Sequence, residues 1–249
     1  MINGHGVLVV IPARYASSRL EGKPLKSIGP KTMIEHVYRQ AEKMSTADRV
    51  LVATDDKRIE EEVRRFGGEA LMTSMNHKSG TDRVAEVAAR SSEGIIVNIQ
   101  GDEPFIDSGA VDSAVTALSD ASSVQVATLC VPISADQALN PDVTCVVRDL
   151  DGVALYFSKL PIPNDRDGDR PGRPLYKHLG IYVFWRDFLL KYATLVPTPL
   201  EEAEKLEQLR ILEHGEKIIV VETENDSIGV DSPEDLERAN ELYKEIMNV

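Results

Sequence analysis

Three basic side chains near the start of the chain have the type and spacing that suit phosphate binding. Arg14, Arg19 and Lys23 follow directly after the apolar run from Val7 to Ile11. A short apolar run that ends in small residues is typical of a buried parallel strand, and ligands of parallel sheets bind beyond the carboxyl ends of such strands. The alternative is a solvated basic loop. Because the rest of the chain is acidic, we expect the three cations to bind a phosphate-bearing ligand.

Two aspartates have positions that suit a metal ion. Asp102 comes directly after the apolar strand predicted from Gly94 to Gln100, and Asp231 stands just before the last predicted helix. Mg²⁺ prefers oxygen ligands and is usually held by one or two carboxylates together with phosphate and water. We expect Asp102 to be such a ligand, although a turn or helix-cap role is the alternative. For Asp231, the residues alone leave metal binding and capping of the last helix equally open.

A third segment suits the recognition of polar edges. Ser79 and Gly80 end a loop and begin a predicted helix, where backbone amides and a hydroxyl can hold anions or polar groups. A loop that simply leads into an N-capped helix explains the same residues equally well.

The elements that must position these residues alternate along the chain as strand and helix, which predicts an α/β protein with a mainly parallel sheet flanked by helices. The order is less regular after residue 120, where a turn at 149–152 predicts a hairpin and the loop at 161–174 a lid. We expect one domain spanning residues 1–249. The predicted strands are 7–11, 49–54, 69–73, 94–100, 124–132, 143–148, 153–157, 177–185 and 217–222, and the predicted helices are 32–44 (with Thr32 as N-cap and Glu35 three residues later), 57–66, 81–90, 200–214 and a terminal helix opened by Ser232.

Composition excludes several classes of partner and site. The formal net charge of −13 argues against nucleic acid and anionic membranes, which select basic surfaces. The N-terminus lacks the basic start of a signal peptide and no apolar run approaches a membrane span, so we expect a cytoplasmic protein. Cys130 and Cys145 lie far apart with no Cys-x-x-Cys spacing, which favours buried thiols over a zinc or redox site.

Residues 11–25 resemble the N-terminal signature of sugar nucleotidyltransferases, and most closely the Ile-Pro-Ala-Arg-Tyr-x-Ser-x-Arg-x-x-Gly-Lys-Pro-Leu form of 3-deoxy-manno-octulosonate (Kdo) cytidylyltransferases. The segment is neither a Walker A loop nor a Gly-x-Gly-x-x-Gly fingerprint, which disfavours kinases and dehydrogenases. Further segments resemble motifs of the same family, in the same order: residues 79–83, 100–104, 178–182, 206–210 and 229–236.

The resemblance implies a Rossmann-like nucleotidyltransferase fold with a smaller β-rich insertion used for dimerisation. It implies a Mg²⁺-dependent reaction of CTP and Kdo that gives CMP-Kdo, a precursor of lipopolysaccharide, and pyrophosphate in a homodimer. The resemblance assigns catalysis to Arg14, Arg19, Lys23 and Asp102, and it assigns metal binding to Asp102 and Asp231. It assigns nucleotide binding to Ala13, Arg14, Arg19, Lys23, Ser79, Gly80 and Gln100. It assigns acceptor binding to Lys159, His178, Tyr182, Glu207 and Gln208, with Arg210 nearby.

Two departures from the family pattern bear on the acceptor rather than on CTP. The family has arginine where this chain has Lys159, and lysine where it has Cys145. Lysine keeps the charge of arginine but loses its planar, bidentate geometry. From the residues alone, His178 fits equally well as a buried histidine that is hydrogen-bonded within the core. The solvent-exposed face of a helix accounts equally well for Glu207, Gln208 and Arg210. Activation of 8-amino-Kdo or a sialic acid, a hexose-1-phosphate nucleotidyltransferase, and a non-catalytic nucleotide-binding regulator stay as alternatives.

Overall fold

The computed structural model of the chain describes residues 1–17, 19–166 and 174–247. Residues 167–173 of the predicted lid lie outside this description. The chain divides into two compact units: unit 1 is Met1–Asp112 with Ser227–Val249, and unit 2 is Ser113–Asp226. No helix in the described part of the chain is both long enough and apolar enough to span a membrane.

The strands in chain order are β1 Val7–Ala13, β2 Ser27–Ile28, β3 Lys31–Thr32, β4 Arg49–Thr54, β5 Ala70–Met72, β6 Ile95–Asn98, β7 Val126–Ile133, β8 Cys145–Arg148, β9 Ala154–Ser158, β10 Leu175–Trp185 and β11 Ile218–Glu222. The helices are α1 Met33–Ala41, α2 Lys57–Arg65, α3 Gly80–Ala89, α4 Ser108–Asp120, α5 Ala135–Ala138, α6 Arg186–Tyr192, α7 Pro199–Glu204, α8 Gln208–Glu213 and α9 Pro233–Met247, with a 3₁₀ turn at Lys23–Leu25.

Unit 1 is built on a parallel sheet in the order β6-β1-β4-β5. β1 and β6 are buried along their whole length, which explains their continuous apolar sequences. Because the strands are parallel, their carboxyl ends lie at one edge of the sheet. The loops after Ala13, Thr54, Met72 and Asn98 therefore leave from the same edge. The mixed α/β class with a mainly parallel sheet, predicted from the sequence, is confirmed.

Unit 2 pairs β11 with β7 in parallel and β7 with β10 antiparallel. β8 and β9 form the predicted hairpin, in which Asp149 N–H donates to the carbonyl oxygen of Val153. Cys130 in β7 and Cys145 in β8 are buried free thiols, as predicted. Burial raises the pKa of Cys130 to about 11, so this thiol is unreactive at neutral pH.

One local prediction is wrong and one holds in part. The helix predicted at 200–214 is two helices, because Lys205 adopts a left-handed conformation (φ 58°) that ends α7. Thr32 is the N-cap residue of α1, as predicted, but its side chain makes no capping hydrogen bond, since its hydroxyl donates to Glu62 instead. Helices α4 and α6 were not predicted at all. The Ser232 cap of α9 is confirmed by its reciprocal hydrogen bonds with Asp235.

Candidate functional site

The strongest cluster of charged side chains in unit 1 joins Lys23 to two aspartates. Lys23 Nζ lies 2.5 Å from Asp102 Oδ2 and 2.9 Å from Asp231 Oδ1, and Arg19 Nη2 lies 2.8 Å from Asp231 Oδ2. Burial opposes the charge of Lys23, but the two carboxylates outweigh it, and the pKa of Lys23 lies above its ordinary value. A positive charge is thus held between Asp102 and Asp231.

The apolar neighbours of these residues explain why they meet. Leu20 follows Arg19 and Val230 precedes Asp231, and both are buried in one cluster with Met33 of α1. The Val230 N–H also donates to the carbonyl oxygen of Asp102 over 2.9 Å, which joins the segment after β6 to the segment before α9. The backbone around the two aspartates is therefore fixed by burial and hydrogen bonding, and the carboxylates do not have to hold it.

The capping alternatives for the two aspartates are disfavoured by the structure. At the start of α9, Ser232 and Asp235 make the reciprocal cap, whereas the carboxylate of Asp231 bonds to Arg19 and Lys23. Near the start of α4, it is Asp107 that accepts from a helix N–H, and Asp102 lies five residues earlier. Both carboxylates are therefore available to exchange their ammonium partner for another cation.

Arg14 differs from the other two cations of the loop. Its side chain is exposed, and within the described residues it forms no ion pair. The predicted convergence of three cations is thus seen for Arg19 and Lys23, while Arg14 extends from the end of β1 into solvent. An exposed arginine at this position can reach an anionic ligand without first leaving a carboxylate.

The residues predicted to read the base lie close together. A methyl group added to Gly80 would come within 3.3 Å of Gln100 Oε1, and one added to Gly101 within 3.6 Å of the Ala13 side chain and 3.0 Å of the Pro12 carbonyl oxygen. Gln100 Nε2 donates to Asn98 Oδ1 over 3.2 Å, and of the two amide atoms of Gln100 the oxygen is the nearer to a methyl group added at Gly80 (3.3 Å against 3.6 Å). Ser79 caps α3 through a capping box with Asp82. These residues therefore place a hydrogen-bond acceptor, the amide oxygen of Gln100, beside a helix N-terminus.

Sequence reasoning missed the residue that anchors this loop. Arg83 in α3 is buried, and its guanidinium donates to Thr73 Oγ1 (2.5 Å) and Asp55 Oδ2 (2.8 Å). Asp55 follows β4 and Thr73 follows β5, so Arg83 holds the helix against two strand ends. A charged residue on the apolar side of the predicted helix was the available signal.

The predicted acceptor residues of unit 2 centre on a bulge in β10. His178 and Tyr182 are four residues apart, a separation of about 13 Å in a regular strand, yet their ring centroids are 5.4 Å apart. The pairing of β10 with β7 shifts between Leu179 and Tyr182. At this irregularity, the Thr128 hydroxyl donates to the carbonyl oxygen of Ile181 over 2.6 Å. Bulges of this kind re-aim side chains next to functional sites.

His178 is buried and neutral. Because the single hydroxyl hydrogen of Thr128 goes to Ile181, its oxygen accepts from His178 Nε2, 2.9 Å away. This assigns the proton to Nε2 and leaves Nδ1 as an acceptor. Burial, with a smaller contribution from the charge of Lys159, lowers the pKa of His178 to about 3. The ring is thus suited to accept a hydrogen bond from a hydroxyl and unsuited to proton transfer at neutral pH.

The other predicted acceptor residues divide into two groups. Tyr182 is half-buried, and desolvation followed by the negative charge of Glu207 raises its pKa well above the ordinary value. Gln208 is buried at the start of α8, and Glu207 is exposed beside it. Arg210 differs from expectation, because its guanidinium is bound on two sides by the carboxylate of Glu201 and is not available to an acceptor.

The two departures from the family pattern lie next to each other. Cys145 pairs with Ser158 across the β8–β9 hairpin, and Lys159 is the next residue. The ammonium of Lys159 donates to the carbonyl oxygen of Asp142 over 3.0 Å, and its backbone N–H donates to Glu204. A difference in acceptor recognition would therefore arise at one place in unit 2.

Comparisons with known proteins agree over nearly the whole chain. The sequence pattern of the cytidylyltransferase family matches residues 8–218. The 3-deoxy-manno-octulosonate cytidylyltransferase of Geotalea uraniireducens is 52% identical over 96% of this chain and 99% of its own, and that of Geotalea daltonii is 51% identical over 96% and 98%. A solved structure of CMP:2-keto-3-deoxy-manno-octonic acid synthetase complexed with CTP has a TM-score of 0.93 at 43% identity, covering 97% of this chain and 99% of that one. The chain belongs to the 3-deoxy-manno-octulosonate cytidylyltransferases of the cytidylyltransferase family.

Proposed function

We propose that this chain joins CTP and Kdo to give CMP-Kdo, an activated sugar for lipopolysaccharide synthesis, and pyrophosphate. The observation that carries the proposal is the meeting of Arg19, Lys23, Asp102 and Asp231 beyond the ends of two buried strands. Cations suit a triphosphate, and a pair of carboxylates suits the metal that accompanies it. A protein that only recognised a base would need neither.

Asp102 and Asp231 are the residues that would hold Mg²⁺. The structure supports the fit, because an oxygen of each carboxylate already lies within hydrogen-bonding distance of one ammonium nitrogen. Both are hard oxygen donors of the kind that Mg²⁺ prefers. Bound there, Mg²⁺ supplies charge neutralisation for the phosphate oxygens. Lys23 must leave the carboxylates for this to happen, and the triphosphate offers its ammonium a new anionic partner.

In the proposed reaction, the anomeric hydroxyl oxygen of Kdo forms a bond to the α-phosphorus of CTP. The bond from that phosphorus to the bridging oxygen breaks, pyrophosphate leaves with the electron pair, and the hydroxyl proton is released to solvent. Arg14, Arg19 and Lys23 hold the triphosphate and stabilise the charge that grows on the leaving pyrophosphate. No described side chain is assigned as a general base, because a pKa of about 3 makes His178 too weak a base to take the hydroxyl proton at neutral pH.

Choice of cytosine is assigned to the pocket edge at Ala13, Ser79, Gly80 and Gln100. The amide oxygen of Gln100 accepts hydrogen bonds, and the exocyclic amine of cytosine donates where the keto oxygen of uracil accepts. A fixed acceptor at this position favours CTP over UTP.

Recognition of the acceptor is assigned to unit 2. Kdo carries several hydroxyls and one carboxylate, so it needs neutral hydrogen-bonding groups and a cation. His178 Nδ1, Tyr182 and Gln208 supply the neutral groups, the carboxylate of Glu207 accepts from sugar hydroxyls, and Lys159 supplies the cation. We further assign the protein to the cytoplasm, where CTP is made, and to a homodimer formed through the strands from Cys130 to Phe157.

The test is pyrophosphate release measured with CTP, UTP, ATP and GTP against Kdo, its 8-amino analogue and N-acetylneuraminate. The expected result is release with CTP and Kdo that depends on Mg²⁺. A specificity constant at least tenfold higher for either other sugar would overturn the named acceptor and leave the cytidylyltransferase reaction standing. Binding of CTP without release for any sugar would overturn the enzyme and favour a regulator.

A further inference from the structure

The loop that carries the three cations is closed by a contact between its two ends. Gly22 N–H donates to the carbonyl oxygen of Tyr15 over 3.0 Å. Gly22 has a positive φ of 65°, and a methyl group added there would lie 3.0 Å from the ring of Tyr15. Tyr15 therefore packs against the backbone just before Lys23, and Gly22 is the residue that permits the approach.

Arg58, in the first turn of α2, lies against the same ring. Its guanidinium carbon is 3.3 Å from the centroid of the Tyr15 ring, which is close contact for a cation stacked on an aromatic face. Asp56 fixes the orientation of that guanidinium, accepting from Nε at 2.9 Å and from Nη2 at 2.6 Å. Asp56 is itself held as the N-cap of α2 by the Arg58 backbone N–H. The ring thus rests on a rigid helix end.

We propose that Arg58 is a positioning residue for nucleotide binding, which acts on Arg14, Arg19 and Lys23 through the ring of Tyr15. The inference rests on the proposed function, because it assumes that the loop binds a triphosphate. Arg19 and Lys23 are held by Asp102 and Asp231 in the free chain, so the loop needs a further anchor once these cations turn to a ligand. The stack on Arg58 holds the loop closed before the nucleotide arrives, and the ordering cost at binding is correspondingly smaller.

The structure provides a matched control on the same helix. Arg64 is also exposed and also bonds a carboxylate of α2, Glu60, at 2.7 Å, but it stacks on no described aromatic ring. Arg58→Ala and Arg64→Ala therefore remove the same charge and a similar surface ion pair from α2. Only the first removes the contact with the loop.

The experiment measures CTP affinity by calorimetry, and KM and kcat by pyrophosphate release, in Arg58→Ala, Arg64→Ala, Tyr15→Leu and Tyr15→Phe. We expect Arg58→Ala and Tyr15→Leu to bind CTP about two- to fivefold more weakly and to raise its KM to match, with kcat within about twofold. Arg64→Ala and Tyr15→Phe, which keep the stack, should bind CTP like the wild type. The double variant Arg58→Ala/Tyr15→Leu should be no weaker than either single variant, because both remove one interaction.

Equal CTP affinity in Arg58→Ala and Arg64→Ala would overturn the proposal, and so would additive losses in the double variant. If Arg58→Ala lowers the thermal midpoint more than Arg64→Ala does, Tyr15→Leu decides, since it leaves α2 intact: unchanged CTP affinity in that variant overturns the proposal. Failure of the wild type to bind CTP would instead overturn the proposed function. The experiment therefore distinguishes failure of the proposed function from failure of the role proposed for Arg58.

Discussion

The sites that we assign to the two units have opposite chemistry. In unit 1, charged side chains that are partly open to solvent gather on loops beyond strand ends, and four of them, Arg19, Lys23, Asp102 and Asp231, have ionic partners in the free chain. In unit 2, the central groups are a buried neutral histidine and a half-buried tyrosine of one strand. A triphosphate and a metal ion require charges that can exchange partners, whereas a polyhydroxy acid requires hydrogen-bonding groups held in place.

This difference predicts which substitutions each unit accepts without losing stability. Charges on loops can be replaced with little effect on folding, because the backbone beneath them is held by Leu20, Val230 and the hydrogen bond from Val230 to Asp102. Buried polar groups in unit 2 contribute to the folded state and to recognition at once. Variants of unit 1 should therefore lose function alone, and variants of unit 2 should also lose stability.

The largest expected effect is on turnover in unit 1. Asp102→Asn and Asp231→Asn each remove a carboxylate charge assigned to the metal, and we expect pyrophosphate release to fall at least about 1,000-fold, or about 4 kcal/mol. The thermal midpoint should stay near that of the wild type. Asp48→Asn, which removes another ion-paired carboxylate of unit 1, serves as the control. Release within about threefold of wild type for Asp102→Asn at saturating Mg²⁺ would refute the ligand role.

The next effect is on stability in unit 2. Arg210→Met leaves the mostly buried carboxylate of Glu201 without its bidentate partner, and we expect the free energy of unfolding to fall by about 3 kcal/mol. Lys191→Met breaks the more exposed pair with Glu216 and should cost less than about 1 kcal/mol. Denaturant titration measures both. Equal losses in the two variants would show that the Arg210 pair is no more important than a surface ion pair.

A third prediction concerns pH. The pKa of His178 is about 3 in the folded chain and about 6.5 when unfolded, so below pH 6.5 only the unfolded chain takes up this proton. The contribution of His178 to the free energy of unfolding is therefore fully present above pH 6.5 and is lost as the pH drops towards 3. Between pH 6.5 and 4.5, the wild type should lose about 2 kcal/mol more than His178→Gln. Parallel pH dependences in the two proteins would contradict a buried neutral histidine.

The smallest effect is expected at the position that departs from the family. Lys159→Arg restores a planar group that can bind a carboxylate on two sides, so the apparent KM for the acceptor should fall about two- to fivefold. Preference among the four nucleotides should not change. A shift in nucleotide preference, or a higher acceptor KM, would show that Lys159 does not act on the acceptor.

The sequence predicted unit 1 better than unit 2 for a physical reason. Buried parallel strands are continuous apolar runs, and the residues after them are marked by a change of composition, so Lys23 and Asp102 were found from the chain alone. Their direct contact was not predictable, because it depends on how Leu20 and Val230 pack. The stack of Arg58 on Tyr15 joins residues 43 positions apart that form no local pattern.

In unit 2, function and folding use the same residues. A histidine in a strand has the same sequence signature whether it fills the core or binds a sugar, and only the bulge between Leu179 and Tyr182 brings the two rings together. Gly180 within the strand was the available signal. Helix α4 was missed although Val111, Val115 and Leu118 follow a helical period and are buried. Lys205 ended α7 through its backbone conformation, which composition does not reveal.

Calorimetric titration of CTP into Lys23→Met and His178→Gln tests the division between the two units most directly. Lys23→Met removes a charge-assisted contact to the triphosphate, and we expect CTP affinity to fall about tenfold or more. His178→Gln changes only the unit assigned to the acceptor, and its CTP affinity should stay within about twofold of the wild type. Unchanged CTP binding in Lys23→Met, or a loss in His178→Gln as large as that in Lys23→Met, would contradict the assignment of nucleotide and acceptor to separate units.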